Sequence, residues 1–149
     1  MSYTYKIVYQ NLDENLKKQI VEMWLKHGAM PYHEALRRVN EVVLVGFDKN
    51  NRVCAVTSVY IVDKTKYEKW YMFRIFIAPD DRGKIKEFKS SKITHEFLST
   101  YECENKPNGI IAIAENKKIT DRIMKQEGWN FLNVAPNGQK IYYVEFAKN

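Results

Sequence analysis

The chain is poor in the residues that crosslink, break or loosen a fold. Its 149 residues include 2 Cys, 4 Pro and 6 Gly, and no stretch reaches the run of about eighteen apolar residues that crosses a membrane. The two cysteines, Cys54 and Cys103, show no Cys-x-x-Cys or Cys/His spacing. That excludes the usual zinc frameworks and makes both read as reduced thiols, with a disulfide as the lesser alternative. There is no repeat, low-complexity tract or Gly/Ser linker, so a single domain covering residues 1–149 is expected. Met1 to Val8 carries no apolar signal-peptide core, and Lys17 with Lys18 interrupts the next helical stretch. A cytoplasmic protein is expected, with no membrane partner.

What is present is a 45 % hydrophobic, 28 % charged chain of net charge +6, long enough to bury a core. The charge is uneven. Between Lys64 and Lys92 nine basic residues stand against Glu68, Asp80, Asp81 and Glu87, a local net charge of +5. Such a segment suits a phosphate-bearing ligand, nucleic acid or an acidic protein, and is also what a solvated face looks like.

Periodicity orders the elements. Tyr3 to Tyr9 alternates as a strand, Asn11 with Glu14 can open a helix, and Leu16, Ile20, Met23 and Trp24 form one helical stripe that Gly28 stops. Pro31 starts a shorter helix carrying Tyr32, Ala35, Leu36 and Val39, ending near Asn40. Val42 to Phe47 and Arg52 to Val62 read as a hairpin, and Trp70 to Ala78 as a further strand. A third helix is expected from Ser90 with Ile93, Phe97, Leu98 and Tyr101 on one face. Ile110 to Ala114 is a buried strand, Asn116 can cap a fourth helix closed by Gly128, and Trp129 to Val134 with Lys140 to Phe146 make a last hairpin. The order is β-α-α-β-β-β-α-β-α-β-β.

That order resembles the GNAT superfamily of N-acyltransferases over nearly the whole chain, and two stretches between Arg74 and Trp129 carry the likeness. The first, Ile75-Phe76-Ile77-Ala78-Pro79-Asp80-Asp81-Arg82-Gly83-Lys84, is similar to the end of the family's fourth strand. The second, Ile110 to Ala114 with Glu115-Asn116 and the ending Glu127-Gly128-Trp129, is similar to its fifth strand and fourth helix. The resemblance implies an α/β (α+β) fold with a mixed, mostly antiparallel sheet flanked by four helices. It also implies acetyl-CoA as co-substrate, with no metal, and an amine of a small molecule or protein as acceptor. Phe76, Ile77, Arg82, Gly83, Lys84, Lys89, Ser90, Ser91 and Asn116 are the cofactor-binding residues it implies: backbone amides for the oxyanion at Phe76 and Ile77, an anion cradle from Arg82 to Ser91, and Asn116 for the pantetheine arm. If Arg82 opens the family's glycine-rich motif, Ile85 and Glu87 stand where glycines are expected; if the helix starts at Ser90-Ser91, the loop is about three residues longer than the family's.

Attack on a thioester needs a neutral amine, and the departing thiolate needs a proton. At the family's base and acid positions stand Tyr71 and Met124. Tyr71 is the catalytic candidate on the fourth strand, and Tyr142 or Tyr143 on the last strand replaces Met124 as acid. His33 and Glu34, on the second helix, are the candidates for acceptor binding.

The alternatives belong to other classes. A GNAT fold that has lost catalysis would serve as a binding or interaction protein. A nucleic-acid module could use Tyr60, Tyr67, Trp70, Tyr71 and Phe73 among Lys64, Lys66, Lys69 and Arg74, stacking bases beside phosphate contacts. Homodimerisation through terminal strands is common among relatives.

Overall fold

The structure, a computed structural model, describes residues 3–65, 68–114 and 120–147, and the side chains of Lys64, Thr65 and Glu87 fall outside that description. Seven strands and four α-helices occur among the described residues: β1 (Thr4–Ile7), α1 (Glu14–Lys26), α2 (Tyr32–Arg38), β2 (Val42–Phe47), β3 (Val53–Thr65), β4 (Glu68–Ile77), α3 (Glu87–Thr100), β5 (Gly109–Ala114), α4 (Asp121–Gln126), β6 (Asn130–Val134) and β7 (Lys140–Glu145). The strands form one sheet in the order β1-β2-β3-β4-β5-β7-β6. The β4–β5 pair is parallel, whereas β1–β2, β2–β3, β5–β7 and β6–β7 are antiparallel. The expected element order and mixed sheet are those observed. Both cysteines are free thiols. Among the described residues no helix is long and apolar enough to cross a membrane.

The chain divides into two compact units, to which β3 and β4 both contribute: Met1–Val59 with Ile75–Phe97, and Tyr60–Arg74 with Leu98–Asn149. In the first unit, α1 begins at Asp13, not Asn11, because the Asp13 carboxylate accepts the Leu16 N–H at 2.7 Å. Leu16, Ile20, Val21, Met23 and Trp24 then form its buried stripe, and Gly28 ends it at φ +64°. β3 is buried on both faces from Cys54 to Val59, as a central strand must be.

The third helix departs from expectation. It starts at Glu87, where the Lys86 carbonyl accepts the N–H groups of Lys89 and Ser90, rather than at Ser90. Its most deeply buried residues are Ser90, Ser91, Thr94 and Leu98, while Ile93, Phe97 and Tyr101 are only partly covered. Small hydroxyl side chains let the helix lie close to the sheet, and Thr94 satisfies its polarity there. It bonds the Ser90 carbonyl at 2.9 Å and the Thr57 hydroxyl of β3 at 2.8 Å.

In the second unit, β5 pairs with β4 through Tyr71↔Ile110, Met72↔Ile111 and Phe73↔Ala112, and with β7 from Gly109↔Glu145 to Ala114↔Lys140. Thr120 caps α4 by accepting the Ile123 N–H at 3.2 Å. The expected cap Asn116 lies outside the described residues.

Candidate functional site

In the first unit the end of β4 is closed by a tight, basic turn. Pro79 has no N–H to extend a strand, so the chain winds into a 3-10 turn over Pro79–Asp81. The Asp81 carbonyl accepts the N–H groups of Lys84 at 3.1 Å and Ile85 at 3.0 Å, and the Pro79 carbonyl that of Arg82 at 3.4 Å. Gly83 supplies the left-handed residue at φ +84°. Ile85 is 5 % exposed and forms an apolar anchor beneath the turn. Arg82, Lys84, Lys86 and Lys89 are exposed around it.

This geometry decides which backbone groups face outward. The amides of Arg82, Lys84 and Ile85 are used within the turn. A helix leaves its first amides without intrahelical acceptors. Lys89 N–H bonds Lys86 O, so that amide too is used at the helix start. The site is thus a helix start flanked by exposed cations, with the amides of Arg82, Lys84, Ile85 and Lys89 already bonded.

Three of the expected cofactor-binding residues form one cluster. The Arg82 Nε donates to the Ile77 carbonyl at 2.9 Å, and its guanidinium carbon lies 5.6 Å from the centre of the Phe76 ring. On another side Phe76 meets His27, ring centres 6.3 Å apart. Ser90 and Ser91 are placed differently from Lys84 and Lys89. Both are buried, so their hydroxyls are not surface donors. Sequence reasoning missed Ile85 as the anchor and Asp81 as the hub, because the local pattern reads the segment as a polar loop.

His33 is exposed on α2, and Glu34 is held by arginines of its own helix. Its Oε1 lies 2.5 Å from Arg38 Nη2 and 3.6 Å from Arg37 Nη2.

The catalytic candidates lie in the second unit. The register places Tyr71 and Tyr142 on one face of the sheet and Tyr143 on the other. Tyr71 is 1 % exposed, with its hydroxyl 3.8 Å from Cys103 Sγ and its ring against Phe146. Tyr142 is equally buried and donates to Asp121 Oδ1 at 2.5 Å. Burial, followed by that carboxylate, pushes its phenol from 10.0 up to about 12. A phenol so held releases its proton less readily than an ordinary tyrosine. Tyr143 is partly exposed and packs edge-on against Trp70 at 5.9 Å. Met124 is buried at 5 % exposure.

Of the aromatics with which a nucleic-acid module would stack bases, Trp70, Tyr71 and Phe73 are core residues, and Tyr60 lies under the Arg74 guanidinium at 4.4 Å. Tyr67 and Lys66 lie outside the described residues. Among the described residues no group of three or more His, Cys, Asp or Glu could hold a metal ion.

No protein-family model matches the sequence, and no curated protein matches it. Solved structures do. The chain is similar to a GNAT-superfamily phosphinothricin acetyltransferase of Sinorhizobium meliloti in complex with AcCoA, at TM-score 0.72 and 11 % identity over 99 % of this chain and 90 % of that one. It is similar to a chain of the NatC complex bound to Gag peptide and CoA, at TM-score 0.69 and 9 % identity over 99 % and 100 %. A spermidine N-acetyltransferase of Vibrio cholerae matches at TM-score 0.62 and 15 % identity over 95 % and 94 %. At such identities the likeness is one of fold. The chain has the GNAT fold, and the Sinorhizobium and Vibrio structures are acetyltransferases of different acceptors, phosphinothricin and spermidine.

Proposed function

We propose that the protein is an acyl-CoA-dependent N-acyltransferase, with acetyl as the acyl group and a small-molecule or protein amine as acceptor. The observation that carries this reading is the β4–α3 turn, where Arg82, Lys84, Lys86 and Lys89 are exposed at and just before the first turn of a 14-residue helix. A diphosphate is the ligand such an arrangement favours, through charge-assisted bonds and the helix dipole. Asn116 is proposed for the pantetheine arm, and His33 with Glu34 for the acceptor. The free thiols Cys54 and Cys103 accord with the cytoplasm as its compartment, and a homodimer remains part of the proposal.

In the reaction the neutral amine attacks the thioester carbonyl, a C–N bond forms, the C–S bond breaks, the amine loses a proton and the thiolate gains one. Direct transfer draws much of its acceleration from holding the two reactants together. Tyr71 is buried and Tyr142 is bound to Asp121, so Tyr143 is the most accessible of the three tyrosines for proton transfer. A second reading is favoured by Met124, which is buried at the family's acid position and has no proton to give. On that reading the chain is a GNAT-fold binding or interaction protein that does not catalyse transfer.

One experiment separates the two. Acetyl-CoA is titrated into the protein by calorimetry, and thiol release is followed with a panel of primary amines and peptides. Binding with amine-dependent release supports the enzyme, and binding without release supports the second reading. No heat at millimolar ligand removes the enzyme and favours the interaction protein.

A further inference from the structure

Tyr3 and Tyr5 alternate at the start of the chain, so both face the same side of the sheet. On that side they meet the β4–α3 turn. The Tyr3 hydroxyl donates to Asp81 Oδ1 at 3.0 Å across 78 positions of sequence. Asp81 is the residue whose carbonyl gathers the Lys84 and Ile85 amides, so Tyr3 holds the hub on which the turn closes.

Tyr5 reaches the other half of the turn. Gly46, its partner in β2, leaves an opening: a Cβ there would lie 3.5 Å from Tyr5 Cε1 and 3.5 Å from Ile85 Cδ1. The Tyr5 ring and the Ile85 anchor therefore share the space that the glycine vacates. The Lys89 ammonium stands 5.5 Å from the Tyr5 ring centre, within cation–π range. Ser90 lies close by. Burial raises the Tyr5 pKa, and the Ser90 hydroxyl opposes that rise without reaching hydrogen-bond geometry.

We propose that Tyr3 and Tyr5 are positioning residues that hold the β4–α3 turn in its anion-presenting shape, Tyr3 through Asp81 and Tyr5 through Ile85 and Lys89. The ligand side of this inference rests on the reading that the turn binds the diphosphate of a CoA thioester. The physical need for such props comes from the turn's composition. With Gly83 as its one glycine between Pro79 and Lys89, and the amides of Arg82, Lys84, Ile85 and Lys89 bonded within it, the turn relies on long cationic side chains, whose ordering on binding is entropically costly. A turn fixed in advance lowers that cost.

The test uses the full chain with Tyr3→Phe and Tyr5→Leu, and Ile20→Val in the α1 stripe as a core variant of reduced stability. Amide exchange at Lys84 and Ile85 is read by NMR, acetyl-CoA affinity by calorimetry, and KM and kcat where turnover occurs. Tyr3→Phe is expected to speed exchange at both amides about tenfold, and each tyrosine variant to weaken acetyl-CoA about fivefold. KM should rise with kcat within about twofold, a uniform-binding loss. Ile20→Val should change neither exchange at the turn nor affinity. Unchanged exchange in Tyr3→Phe overturns the inference, and so does unchanged affinity in both tyrosine variants when Arg82→Ala still weakens binding. If the unmodified protein binds no acetyl-CoA, the functional reading falls. Exchange at Lys84 and Ile85 then decides alone whether the tyrosines hold the turn.

Discussion

The Tyr142 hydroxyl donates to the Asp121 carboxylate at 2.5 Å, which ties the middle of β7 to the first turn of α4. Lys140 Nζ reaches the same oxygen at 3.2 Å. The bond lowers the Asp121 pKa and adds to the burial that raises that of Tyr142. The Asp121 pKa is lowered by the Tyr142 bond and then by Lys140, so the stability it contributes is present near neutrality and is lost as pH falls through its folded pKa. The Tyr142 pKa is raised from 10.0 to about 12, so its contribution is complete below pH 10 and is lost as pH rises through about 12. Tyr142→Phe should lower stability by about 1 kcal/mol at neutral pH. Melting temperature followed against pH should fall less steeply at both extremes in the variant than in the unmodified protein.

The Thr57–Thr94 pair should behave as a unit. Thr94 donates to the Ser90 carbonyl, so Thr57 must be the donor to Thr94. Thr94→Val leaves a buried hydroxyl without its acceptor and is expected to cost about 2 kcal/mol. The double variant Thr57→Val with Thr94→Val should recover part of that loss, because no polar group is then stranded. Urea unfolding of the four proteins gives the coupling, and strict additivity would contradict the bond.

Gly109 has no room for a side chain. A Cβ would stand 2.1 Å from the Val144 carbonyl oxygen and 2.8 Å from Trp70 Cζ3, and the first of these is backbone that cannot swing aside. Gly109→Ala is therefore expected to destabilise by about 3 kcal/mol, the upper end of overpacking. A shift in urea midpoint at unchanged slope is the measurement.

At the basic turn the cations should separate by role. Arg82 is bonded to the Ile77 carbonyl, so Arg82→Ala should weaken acetyl-CoA about tenfold and also loosen the end of β4. Lys84 and Lys86 are exposed and make no ion pair among the described residues. Their alanine variants should weaken binding a few-fold while stability stays within about 0.5 kcal/mol. Calorimetry with thermal melts reads both, and equal losses of stability at all three positions would contradict this division.

Much of the fold was legible because it depends on neighbours in the chain. The stripe Leu16, Ile20, Met23 and Trp24, the stops at Gly28 and Gly128 with φ of +64° and +92°, and the apolar run Ile110 to Ala114 are matters of period and local sterics. The basic character of the Arg82 to Lys89 turn was visible for the same reason. The underside of α3 was not. Ser90, Ser91 and Thr94 look solvent-facing by composition, and only the approach of β3 with Thr57 gives them a buried place.

By itself the sequence determined the order of elements and the charge of the turn after β4, since each is written in consecutive residues. The tertiary structure alone decided that Tyr3 bonds Asp81, that Ile85 is a buried anchor beneath the turn, and that Tyr142 and Tyr143 face opposite sides of the sheet. Those relations join positions as far as 78 residues apart, or turn on strand register, and no local pattern encodes which distant side chains the folded sheet brings together.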